Sequence, residues 1–138
     1  MHSNFTRVQT QIEKRPLLST LWIFVLLNII VRDLHQFLNP TAFQEMMEMN
    51  FSEGQVLLFA FILEIPIAMV LLSRVLPDTA NKWTNVIAAV INLMGIVSTL
   101  PTADLDDFFF AGMESMALIA IVVFSFKQFS SAAISSGR

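Results

Sequence analysis

Residues 54–76 read GQVLLFAFILEIPIAMVLLSRVL, an apolar run with a carboxylic acid and a proline, Glu64 and Pro66, near its centre. About 20 mainly apolar residues rising 1.5 Å each cover the ~30 Å hydrocarbon core of a bilayer, so this run is long enough to cross one. An ionisable side chain at that depth costs at least ~2.5 kcal/mol on insertion scales and normally turns toward protein or water. The run predicts a membrane helix whose acid faces its neighbours.

Composition agrees. The chain is 55% hydrophobic and 14% charged, with a mean hydropathy of +0.67, where a soluble domain carries roughly 45–50% apolar and 25% charged residues. There is no cysteine, which removes disulfides, thiolate metal sites and cysteine nucleophiles. His2 and His35 are the two histidines and cannot build a histidine-rich metal or haem site between them. No cofactor is expected, and a net charge of −3 gives no reason to expect nucleic acid.

Taken in order, residues 1–16 are polar and mildly basic and read as a retained tail ending at Pro16. A first helix is expected at 17–38, with Trp22 as an interfacial anchor. Its far end carries Arg32, Asp33, His35 and Gln36. At 100° per residue Asn28, Arg32 and His35 share one face while Asp33 points away. Asn39 followed by Pro40 predicts a capped start to a short amphipathic helix at 40–50, lying on the membrane surface or packed as a lid. The second helix, 54–76, stops at Pro77. Asp78 or Asn81 can cap a third at 80–100, whose stripe of Asn85, Ala88, Asn92, Gly95 and Thr99 is a packing face. Pro101 ends it, and an acidic turn leads into a fourth helix at 106–129. Residues 130–138 read as a flexible tail. No repeat or linker divides the chain, so 1–138 is one membrane domain.

With four crossings, every lysine and arginine except Arg32 falls on one side together with both termini. That bias predicts an up-down-up-down bundle of four transmembrane helices with both termini cytoplasmic.

Depth along the helices brings out a polar layer. Asn28, Glu64, Asn92 and Glu114 all lie roughly 12–15 Å below the outer surface at 1.5 Å per residue. Each helix gives one amide or acid to the same level, with Asp33 near the mouth. One reading is a pocket open to the outer face that binds or passes a proton, a cation or a small polar ligand. The other is a structural or accessory membrane subunit whose layer only fixes helix packing. A catalytic triad, an H-E-x-x-H pair and a phosphate loop are all absent from the sequence, so no enzyme is expected and no catalytic residue is assigned.

The segments LWIFVLLN with Asp33, EIPIAMVLLSRVLPDTANKWTN at 64–85, and TLP followed by FFFAGMES at 99–115 resemble an uncharacterised family of small prokaryotic four-helix membrane proteins. The likeness covers about 17–129 and rests on Leu21, Trp22, Asp33, Ile65, Pro66, Leu76, Pro77, Asn81, Trp83, Asn85, Pro101, Phe109 and Glu114. It implies a multi-pass protein of a prokaryotic plasma membrane and no known activity. The expected partners are the lipid bilayer and either a homo-oligomer or a larger membrane complex.

Overall fold

The computed structural model describes residues 2–133. The elements are α1 (His2–Leu38), α2 (Pro40–Glu48), α3 (Glu53–Val75), α4 (Asp78–Thr99), a 3-10 turn (Leu100–Thr102) and α5 (Leu105–Ala133). Local chemistry sets most of these bounds. The Asn39 side chain accepts from the Thr41 amide, and Pro40 opens α2. α3 starts in a reciprocal cap: the Gln55 amide donates to Ser52 Oγ while the Ser52 amide donates to Gln55 Oε1.

Three expectations about the ends change. Residues 2–16 are not a separate tail but continue α1 with Pro16 inside the helix. At the other end α5 stays helical through Ala133, and 134–138 lie outside the described residues. Neither Asp78 nor Asn81 caps α4. Pro77 holds that position without a side-chain bond, because both polar side chains are drawn elsewhere: Asp78 Oδ1 accepts from Arg15 at 2.7 Å and Asn81 Nδ2 donates to the Ser73 carbonyl at 2.9 Å.

Long-range hydrogen bonds fix how the helices run. Ser19 Oγ donates to the Val70 carbonyl and Arg15 to the Arg74 carbonyl, so α1 and α3 are antiparallel. Arg32 meets Glu114 and Gln36 meets Asp107, so α1 and α5 are antiparallel as well. Arg15 with Asp78 and Trp22 with Asn85 climb together, which makes α1 and α4 parallel. α1 packs on both α3 and α5, and α4 closes against α5 and, less extensively, α3. The core is a column of Leu18, Trp22, Val25 and Ile29 on α1, set at helical spacing against Met69, Ala88, Ala89, Ala117, Leu118 and Ile121. The small alanines of this cluster let the helices approach, and the buried Trp22 indole supplies bulk to the same core.

Three helical segments are long and apolar enough to cross a membrane: Arg15–Leu38, Glu53–Val75 and Leu105–Lys127. α4 is not one of them. Its asparagines Asn81, Asn85 and Asn92, which lower its apolar character, are all buried inside the array. The expected α4 packing face holds at Asn85, Ala88 and Asn92 and then passes to Ile96, leaving Thr99 exposed.

α3 is the exception to the packing. Only Pro66, Met69 and Ser73 are buried on it, all toward its C-terminal end. From 53 to 64 every residue but the half-buried Ile62 is exposed.

Candidate functional site

Where α1 ends and α5 begins, the chain gathers its ionisable side chains in a ladder. Glu114 is the deepest, two helical turns inside Asp107, and is 2% exposed. Arg32 reaches it from α1, with Nη1 3.4 Å from Oε2. The same guanidinium lies 3.9 Å from Asp33 through Nε. One turn further out Gln36 Nε2 donates to Asp107 Oδ1 at 3.0 Å, and His35 Nε2 sits 3.1 Å from Asp106 Oδ2 with its ring tilted on Phe110. At the rim the Asp104 carboxyl is held below the usual carboxylate range, first by its side-chain hydrogen bond with Asp106 and then by the Asp107 backbone amide.

Two features of this ladder bear on chemistry. Side-chain exposure rises from 2% at Glu114 to 19% at Arg32 and 45% at Asp33, a graded route from the buried acid to the surface. The Arg32 contact is also longer than the ~2.7–2.9 Å of a strong charge-assisted bond, and it engages only one oxygen. Glu114 Oε1 is buried without a partner; among the described residues Ser125 Oγ is the other such side-chain atom. A buried carboxyl oxygen without a partner is costly, so Oε1 is the least satisfied acceptor of the ladder.

The five expected site residues separate. Glu114 and Asp33 meet at one guanidinium. Asn28 and Asn92 each turn back on their own helix, donating to the carbonyls of Phe24 and Ala88 at 2.9 Å. Glu64 is exposed on α3, away from the buried face of its helix, instead of joining Glu114 in a shared buried layer. Its height along the helix left its direction around the helix open: Pro66, Met69 and Ser73 take the inward side, roughly opposite Glu64 at 100° per residue.

A second cluster, at the opposite end of the array, was not foreseen. Trp22, expected at an interface, is 0% exposed, and its indole N–H donates to Asn85 Oδ1 at 2.7 Å. Ser73 Oγ donates to the same oxygen at 3.1 Å. Asn85 Nδ2 donates to the Asn81 carbonyl and side chain, and Asn81 Nδ2 to the Ser73 carbonyl. Beside it Arg74 Nε donates to Ser19 Oγ at 3.0 Å. The pair of asparagines one turn apart on an apolar helix was the available signal, since buried amides must find partners.

Among the described residues, helices alone, a core that includes buried amides, and one half-satisfied buried acid define a small all-helical protein with three segments fit to cross a membrane. The model of a family of unknown function, DUF6326, matches residues 7–132, and the chain belongs to that family. No curated protein and no solved structure matches it.

Proposed function

We propose that the chain is a non-enzymatic integral membrane protein, crossing the bilayer four times with both termini cytoplasmic, whose Glu114 takes up and releases a proton at the outer face. The observation that carries this reading is the buried, unpartnered Oε1 of Glu114. At 2% exposure the carboxyl admits only something very small, and a proton needs no room. Arg32 holds the opposite oxygen, and Asp33 stands between it and the surface. The membrane placement is supported by the three apolar helices. α4 crosses as the fourth with its amides turned inward.

Orientation is supported by the gathering of cations at one end. Arg15 reaches the Arg74 carbonyl there, and Lys82 lies 4.5 Å above the ring of Phe126. This end faces the cytoplasm under the positive-inside rule, which sets the Glu114 ladder on the outer face. The setting is a prokaryotic plasma membrane, the partners are lipid and other copies or subunits within it, and nucleic acid has no part.

A structural or accessory role is the second reading, favoured by the fully bonded Trp22 and Asn85 cluster, which serves packing alone. Infrared difference spectra of the reconstituted protein between acid and alkaline pH separate the two. A proton site predicts a protonated-carboxyl band that disappears in Glu114→Gln with folding retained. Identical difference spectra for both proteins would leave the accessory reading in its place.

A further inference from the structure

The outward face of α3 raises a question that the rest of the fold does not answer. Glu64 is the middle residue of a 23-residue helix, Glu53–Val75. In the membrane placement proposed above, on which this inference rests, that is the bilayer midplane, about 16 Å from either end. It is exposed, with the inward side of α3 occupied by Pro66, Met69 and Ser73. Its neighbours at three- and four-residue steps are Leu57, Phe61, Ile67 and Leu71, all exposed as well, so one apolar stripe with a single carboxyl at its centre runs most of the helix length. Lipid covers the apolar residues at no cost. It does not cover a carboxyl, which at this depth seeks a protein partner.

The partner must offer a hydrogen-bonding group at the midplane, and a second copy does so by symmetry. A two-fold axis normal to the membrane keeps both copies in the same orientation and sets each residue of α3 at the depth of its mate. A carboxyl is self-complementary, since one protonated group donates while the other accepts. Ala60 and Ala68, one turn to either side of Glu64, leave the backbones free to approach. Leu57, Glu64 and Leu71 lie seven residues apart, the repeat that keeps one seam facing its partner in paired helices.

We infer that α3 pairs with α3 of a second copy of this chain, with the two Glu64 carboxyls hydrogen-bonded to each other at the centre of the interface.

Because the chain has no cysteine, single thiols at Leu57, Leu71 and Met116 report on this directly in the full chain reconstituted in phosphatidylcholine liposomes. Met116 is exposed on α5 and serves as the reference. Leu57→Cys and Leu71→Cys are expected to cross-link to dimer under mild oxidation, and Met116→Cys to remain monomeric. Adding Glu64→Gln, which keeps a donor and an acceptor, retains the dimer. Adding Glu64→Leu lowers the dimer-to-monomer ratio about tenfold, the effect of losing an interhelical hydrogen bond in lipid. Cross-linking at Leu57 and Leu71 no better than at Met116, or a dimer indifferent to Glu64→Leu, overturns the pairing and leaves the face to a different subunit. Failure of the protein to co-float with the liposomes would overturn the membrane placement along with it.

Discussion

At the cytoplasmic end of the proposed topology, Trp22, Ser73, Asn81 and Asn85 are buried, and each side chain has found its partners within the fold. At the other end Glu114 is as deeply buried, yet it shares a long contact with one arginine and keeps an oxygen open. Both regions put polar atoms where water is excluded. In the first the polarity is consumed in joining α1, α3 and α4, so it specifies which helices meet and in what register. In the second one oxygen is left over, and on it the proposed proton site rests. A satisfied cluster reads as architecture and an incomplete one as a site.

If that distinction holds, the largest effect belongs to the satisfied cluster. Asn85→Ala strands the Trp22 indole N–H and the Ser73 hydroxyl at once, and should cost on the order of 3 kcal/mol of stability, read as thermal unfolding in detergent. Next comes Arg32→Ala, which leaves Glu114 buried without its partner. Removing one member of a buried pair typically costs ~3–5 kcal/mol; the long contact and partial exposure of Arg32 reduce the expectation to about 2. Glu114→Gln fills the same space, still accepts from Arg32, and should change unfolding by less than ~1 kcal/mol while removing the titratable group. A Glu114→Gln loss as large as that of Asn85→Ala would erase the contrast between the two ends.

Smaller effects sharpen it. Arg15→Ala breaks a pair with Asp78 in which the side chains are 32% and 46% exposed, so roughly 0.2–1 kcal/mol is expected, shrinking further in salt. Gly95→Ala should be neutral or stabilise by up to about 1 kcal/mol, because an added Cβ meets nothing within 4 Å and alanine is the better helix former. A marked loss there would mean that another copy or subunit packs closely on α4.

Much of this was legible in the sequence because prolines punctuate it. Pro40, Pro77 and Pro101 placed the ends of α2, α3 and α4 within a few residues. Pro16 misled, since a helix tolerates the loss of one bond and α1 runs through it. Of the site, Glu114 and Asp33 could be singled out by charge and depth. Arg32 stood beside Asp33 at the far end of the first helix; what ties it to Glu114 is the antiparallel register of α1 and α5, a relation across 82 residues that no local pattern carries. The bond between Trp22 and Asn85, 63 residues apart, was missed for the same reason, though Asn85 was placed on the packing face. Glu64 shows the complementary limit. Counting along a helix gives height, and only its neighbours decide which way a side chain at that height points.

Sidedness offers the most direct trial of the proton site. In vesicles of known orientation, the infrared band lost in Glu114→Gln should follow the pH of the compartment facing the α1–α5 ladder and ignore the other. A band that tracks the compartment on the Arg15 and Arg74 side, or one that does not titrate from either, would contradict the account.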